Sequence, residues 1–292
     1  MPWQQLKVTV PESSATLVEN YFSESGAVSV TFMDSEDHPV FQLEPGSTPL
    51  WKHTEVVGLF EHDAPMTSIM ENLRASLVPQ QDVPIVLEEV QDTEWERICM
   101  QDFKPMQFGK RIWICPSWET PPVPDAINIL LDPGLAFGTG THPTTALCLQ
   151  WLDAQDVKDR IVIDYGCGSG ILAIAAALLG ARQVIAIDND PQAIQASESN
   201  RDLNGIAEQQ LSVHLPGGKH PQADILVANI LSGPLEELTP IIAALVKPGG
   251  KLILSGVLTA QTQSLMNSYT PYFAMAEPVF LDEWVRAEGT RR

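Results

Sequence analysis

The residues best placed to do chemistry lie in one short run, Asp164-Tyr165-Gly166-Cys167-Gly168-Ser169-Gly170. It follows the apolar stretch Ile161-Val162-Ile163 and precedes an Ala- and Leu-rich segment from Ile171 to Leu179. Glycines at such a strand-to-helix turn let a ligand approach the backbone, and the helix start beyond supplies free N–H donors. Eighteen residues after Gly170 stands Asp188, closing the apolar run from Val184. A carboxylate there can accept both hydroxyls of a ribose. A tight turn alone would explain the glycines, but the full strand, glycine, helix, strand and acid unit specifies an adenosine-bearing ligand. A dinucleotide site wants G-x-G-x-x-G, with its third Gly one place later. Position 171 is Ile, which disfavours a nicotinamide-dependent dehydrogenase.

Two further stretches carry polar groups in special settings. Asp224-Ile225-Leu226-Val227-Ala228-Asn229-Ile230-Leu231 is an apolar run ended by Asn229. A polar residue at the carboxyl end of a strand lies on the edge where open α/β sheets bind ligands. A helix N-cap is the alternative role for Asn229. The run from Leu131 to Thr145 holds three Gly and four Thr around Phe137 and His142. It can supply hydroxyls and backbone donors to a carboxylate, with Phe137 as an apolar wall. His142 is of the general-base type, yet no carboxylate adjoins it in sequence, so a hydrogen-bonding loop histidine is an equal reading. Cys167 lacks a partnered base and reads as a small filler residue.

These residues need elements to hold them. From 126 onward the pattern is strand then helix: Ile161–Asp164, Ile171–Leu179, Val184–Asp188, a helix opening at Pro191 and running through Asn200, Asp224–Asn229, a helix Pro234–Val246 and the strand Lys251–Ser255. Alternation of that kind predicts a parallel, doubly wound sheet. Ahead of it, Gln4–Val10, Ala27–Met33, Thr54–Phe60 and Pro84–Val90 read as strands, with helices at Ser13–Ser23 and Pro65–Leu77. The order β-α-β-β-α-β predicts a ferredoxin-like sandwich. Between the two, Arg111–Cys115 reads as a strand, and Trp95, Trp113 and Trp118 among several prolines read as packing at a domain junction. The expected division is a ferredoxin-like domain over 1–97, a linker over 98–125 and an α/β domain over 126–292.

Charge and composition narrow the classes of function. The chain is 44% hydrophobic with a formal net charge of −20. So acidic a surface repels phosphate and makes nucleic acid or an anionic membrane a poor partner, whereas a basic protein is attracted. Residues 1–97 hold 17 acids and 4 bases, a net of −13. No charged lead precedes an apolar core at the N-terminus, and no apolar run reaches the ~20 residues of a spanning helix. Cys99, Cys115, Cys148 and Cys167 form no C-x-x-C pair, so neither a disulfide framework nor a zinc site is expected, and free thiols suit a cytoplasmic protein.

The glycine turn behind Asp164 resembles the first motif of class I S-adenosylmethionine-dependent methyltransferases, and Asp188-Asn189-Asp190-Pro191 resembles their second. Asp224 to Leu231 resembles the fourth, in which Asn or Asp faces the amine to be methylated. Ile-Leu-Ser follows Asn229 where that motif has Pro-Pro-Tyr, which argues against methylation of a flipped adenine base. The run Leu131–Thr145 closely resembles the signature of the ribosomal protein L-eleven methyltransferases. With the N-terminal module, that resemblance covers nearly the whole chain. It implies S-adenosyl-L-methionine as cofactor, with contacts at Thr145, Gly166, Asp188 and Asn229, Phe137 and Thr139 nearby, Asp164 bordering the methionyl pocket and Gly168 within the turn. It implies Asn229 as the catalytic residue and no metal. The implied substrate is large-subunit ribosomal protein L-11, a basic protein methylated on α-amino and lysine ε-amino groups by a monomeric enzyme whose residues 1–97 recognise it. A non-catalytic assembly factor that binds the same cofactor is the competing class.

Overall fold

The structure is a computed structural model that describes residues 3–36, 51–77, 83–90, 103–132 and 142–292. The chain divides into two compact units, Met1–Ile98 and Cys99–Arg292.

The first unit runs β1 (Trp3–Pro11), α1 (Glu12–Glu24), β2 (Ser29–Asp34), β3 (His53–Glu61), α2 (Met66–Ser76) and β4 (Ile85–Val90). Its four strands lie in the order β2-β3-β1-β4, all neighbours antiparallel, which is the ferredoxin-like sandwich the sequence pattern predicts. Alternation in β1 turns Leu6, Val8 and Val10 to one face, where α1 meets them with Ala15, Val18 and Phe22 and α2 with Ile69 and Leu73. Helix α1 starts ahead of the expected Ser13: Pro11 occupies the cap position, and no side chain caps the first turn. Proline is pre-set for such a start because its φ is already near the helical value.

The second unit begins with a small sheet, β5 (Met106–Phe108), β6 (Ile112–Cys115) and β7 (Ile127–Leu130), in the order β5-β6-β7. This corrects the expected linker over 98–125. Ile112, Ile114 and Cys115 are fully buried, and a chain that buries such side chains must pair its backbone rather than leave it loose. Trp113 is half-buried and Trp118 exposed, while Trp95 lies outside the described residues.

The main sheet follows: α3 (Pro143–Ala154), β8 (Ile161–Tyr165), α4 (Ile171–Leu178), β9 (Gln183–Ile187), α5 (Pro191–Leu203), β10 (Leu211–His214), β11 (Ala223–Asn229), α6 (Ser232–Glu237), α7 (Thr239–Leu245), β12 (Val246–Leu258), α8 (Thr262–Tyr269), β13 (Phe273–Met275), β14 (Val279–Leu281) and β15 (Trp284–Arg291). Its order is β10-β9-β8-β11-β12-β15-β13, with β14 on β15. Neighbours are parallel from β10 to β12, and β15 is antiparallel to β12, β13 and β14. This is a Rossmann-like sheet with the chain reversing direction of travel at β8. Apolar layers cover both faces, with Ile174 and Ala175 of α4 on one side and Ile242 of α7, Leu265 and Tyr269 of α8 on the other. The expected helix over 234–246 is two, broken at Leu238. Pro240 has no N–H to donate to a carbonyl one turn back, so the helix restarts there.

Candidate active site

In an open α/β sheet the ligand crevice opens at the carboxyl edge where the strand order reverses. Here that point is the pair β8 and β11, in register with Val227 opposite Asp164, so that Asp164, the glycine turn and Asn229 share one edge. Within the turn Gly166, Gly168 and Gly170 all take positive φ, at 78°, 54° and 78°. The N–H groups of Gly166 and Cys167 both donate to the Ile187 carbonyl, at 2.7 and 3.1 Å, tying the turn to the end of β9.

Asp188 follows directly. Its Oδ2 accepts the Gly168 N–H at 2.9 Å and its Oδ1 accepts the Asp190 N–H at 3.0 Å. The carboxylate is thereby fixed in plane, and each oxygen keeps acceptor capacity for another donor. Helix α5 clamps the turn from outside. Ser197 Oγ donates to the Gly168 carbonyl at 2.9 Å, and Asn200 Nδ2 donates to the Ser169 carbonyl at 2.8 Å. Sequence reasoning missed both residues. Their spacing along a helix after an aspartate cap gives a weak signal, because nothing in it names the turn as their target.

Asp164 is buried, 1% exposed. Its Oδ2 accepts the Ala173 N–H in the first turn of α4 at 3.0 Å, while Oδ1 has no hydrogen-bond partner among the described residues. Burial pushes its carboxyl up to about 7; the Ala173 hydrogen bond opposes this, and the nearby charge of Asp188 adds to it. Cys167 is buried too, its Sγ 3.3 Å from Ser197 Oγ, and burial raises its thiol well above the ordinary range. That is an inert packing cysteine.

Across the crevice, Asn229 Nδ2 donates to Thr145 Oγ1 at 3.3 Å, and Asn229 Oδ1, buried, has no partner among the described residues. The N-cap of α6 is Leu231, so Asn229 does not serve that helix. Thr145 is fully buried in the first turn of α3. His142 is the N-cap of that helix: its Nδ1 accepts the Thr144 N–H at 3.3 Å and lies 2.7 Å from Thr144 Oγ1. Its ring meets Trp284 edge to face at 4.7 Å. Burial lowers its pKa by disfavouring the charged ring. Phe137 and Thr139 lie outside the described residues.

Ile230, the residue after Asn229, is the other feature sequence reasoning missed. A Cβ on Gly166 would come 2.2 Å from Ile230 Cγ2. A Cβ on Gly256, in β12 at φ +85°, would come 2.4 Å from the Ile230 carbonyl oxygen. Two glycines distant in sequence thus make the socket that seats Ile230, and with it the neighbouring Asn229. A glycine inside an apolar strand is the available signal for such a close approach.

The site can therefore be described as two buried acceptors, Asp164 Oδ1 and Asn229 Oδ1, with no partner among the described residues, on one edge with an anchored carboxylate and a glycine turn. An unsatisfied buried acceptor costs about 1–3 kcal/mol, so such a pair fits a ligand bearing N–H donors. S-adenosylmethionine carries an ammonium, an amino group and a ribose diol, and the donor and acceptor set suits it.

Comparison with known proteins agrees with this geometry. The family model described as ribosomal protein L11 methyltransferase (PrmA) matches residues 2–292. A ribosomal protein L11 methyltransferase from Actinobacillus pleuropneumoniae serotype 5b is 52% identical over 293 residues, covering 100% of both chains. One from Photobacterium profundum is 50% identical, covering 99% of each. A crystal structure of ribosomal protein L11 methylase from Lactobacillus delbrueckii subsp. bulgaricus aligns with TM-score 0.60 and 33% identity, over 65% of this chain and 100% of that one. A doubly wound α/β sheet, the motifs on its carboxyl edge and a family match from end to end place the chain among the ribosomal protein L11 methyltransferases.

Proposed function

We propose that this methyltransferase moves methyl groups from S-adenosylmethionine to amino nitrogens of ribosomal protein L11, both the α-amino group and lysine ε-amino groups. The observation that carries the reading is Asn229: a buried amide whose nitrogen is held by Thr145 and whose oxygen faces no partner among the described residues. When bound, the cofactor supplies an electrophilic methyl group on a sulfonium. Asp188 accepts the ribose hydroxyls, and Gly168, whose N–H holds Asp188, fixes that carboxylate. Asp164, whose Oδ1 has no partner among the described residues, would hold the cofactor's ammonium.

The remaining work is positioning, which is what a transfer from an already activated methyl group requires. Asn229 Oδ1 accepts one N–H of the incoming amine and aims its lone pair. Thr145 keeps the amide from rotating. The amine must arrive neutral, although a free lysine of pKa ~10.4 is almost wholly protonated at pH 7. Desolvation of the amine within the crevice favours loss of that proton by disfavouring the charged form. His142, whose Nδ1 accepts the Thr144 N–H as the cap of α3, is not assigned the role of base. Residues 1–97, with a net charge of −13, attract and orient a substrate rich in Lys and Arg.

Incubating the full chain with methyl-labelled cofactor and total ribosomal protein tests the reading. One labelled band at the position of ribosomal protein L11 is expected, and its loss in Asn229→Ala with cofactor affinity less affected. No label, or label spread over many proteins, would overturn it.

A further inference from the structure

The edge of the sheet opposite the active site holds a cleft that the methyl-transfer chemistry does not use. It lies where β11 and β12 begin, about 16 Å from Asn229 by the ~3.3 Å rise of each strand residue. Its volume is about 330 Å³, at the small end of the ~300–1,000 Å³ range of ligand pockets. Arg160, Lys247 and Lys251 line it, together with Asp156, Asp224 and Gln155. Three cations converging on a chain of net charge −20 is a local reversal of sign.

The acids cancel it only in part: Asp156 and Asp224 against Arg160, Lys247 and Lys251 leave one positive charge, and Asp224 is drawn to both Lys247 and Arg160. Asp224 is engaged twice: its Oδ2 accepts the Ile161 N–H at 2.8 Å, and its Oδ1 pairs with Lys247 Nζ at 2.7 Å. Lys251 Nζ donates to Gln155 Oε1 at 2.5 Å and stands 5.6 Å over the Trp151 ring. The exposed Arg160 guanidinium has no hydrogen-bond partner among the described residues, leaving its fork of donors open to a ligand. Asp156 is the remaining carboxylate in the cleft. Acids elsewhere on the surface are screened over the ~8 Å Debye length of ~0.15 M salt, so the local set decides what binds.

A second cavity of about 140 Å³ adjoins the first through Gln155 and Lys251; Trp151, Leu252 and Ala276 give it an apolar side, and Glu288 lines it as well. We propose that the cleft binds a phosphate-bearing small molecule, with the phosphates between Arg160, Lys247 and Lys251. Guanidinium and ammonium donors together suit an anion of more than one charge, which a single carboxylate is not. Two sources share this chemistry, free polyphosphate and the phosphate end of a nucleotide whose base occupies the second cavity.

The test is calorimetric titration of the full chain, saturated with S-adenosylhomocysteine to close the cofactor site, using pyrophosphate in one arm and ADP in the other. Both should bind at millimolar concentration or below. Arg160→Gln should weaken both by roughly tenfold or more, the loss of one or two charge-assisted hydrogen bonds, while methylation and S-adenosylhomocysteine affinity stay unchanged. ADP tighter than pyrophosphate supports the site with a nucleotide occupant; equal affinities support it with free polyphosphate. Lys251→Gln serves as the second variant and should weaken pyrophosphate as well. Absence of binding by either ligand, or pyrophosphate affinity unchanged in both variants, overturns the proposal.

Discussion

Replacing Gly166 with Ala separates two reasons for a glycine at the head of the cofactor turn. If the glycine serves only backbone freedom, the cost is that of a Cβ at φ +78°, about 1–2 kcal/mol. The structure adds a second cost, because that Cβ would meet Ile230 Cγ2 at 2.2 Å. Overpacking of this kind adds about 1–3 kcal/mol. The two costs respond differently to a change at position 230. Ile230→Ala removes Cγ2, so the double variant Gly166→Ala/Ile230→Ala should recover the packing part and keep the φ part. Gly256→Ala offers a control: its Cβ would meet the Ile230 carbonyl oxygen at 2.4 Å, backbone that no side-chain change removes. A double-mutant cycle by urea unfolding should therefore give a favourable coupling of about 1–3 kcal/mol for positions 166 and 230, and none for 256 and 230. The transition of the catalytic unit is identified as the one that S-adenosylhomocysteine shifts to higher urea. Zero coupling between 166 and 230 would refute the socket, as would an equal coupling at 256.

Three other outcomes are expected. Asp188→Ala should raise the cofactor dissociation constant at least roughly tenfold, since hydrogen bonds to a charged group contribute ~1.5–3 kcal/mol each; calorimetry showing unchanged affinity would remove the ribose role. Asp164, raised from 3.8 to about 7 in the fold, binds its proton more tightly folded than unfolded, so its contribution to stability is full below about pH 4 and is lost as pH rises through about 7. At about 1.4 kcal/mol per unit, the urea stability of wild type relative to Asp164→Asn should fall by about 2–3 kcal/mol between pH 5 and 8 without cofactor, and a pH-independent difference would contradict the burial argument. Raising salt from ~0.15 to ~1 M shortens the Debye length from ~8 to ~3 Å and should weaken binding of the protein substrate far more than binding of S-adenosylhomocysteine, which separates steering by residues 1–97 from a contact-only role.

The amino-acid sequence by itself determined the elements and the chemistry that depends on local spacing. Leu6, Val8 and Val10 alternate, and the first unit's sandwich follows from that and its neighbours. Ile161 to Asp188 is a contiguous strand, turn, helix and strand whose contacts are close along the chain, so the glycine turn and its acids were legible without a fold. The stretch 98–125 was misread as a linker because its prolines are a local signal, whereas the burial of Ile112 and Ile114 is a property of what packs on them. The same reason hid Ile230. Its socket joins Gly166 to Gly256, ninety positions apart, and only the pairing of β8, β11 and β12 side by side brings them together. His142 was open between base and hydrogen-bonding loop residue until the start of α3 made it a cap. Asn229 was legible as a polar residue at a strand end, but the direction its amide oxygen faces was decided by Thr145, a partner 84 positions away. Sequence spacing identifies groups that can react; long-range packing decides which of their atoms remain unpaired.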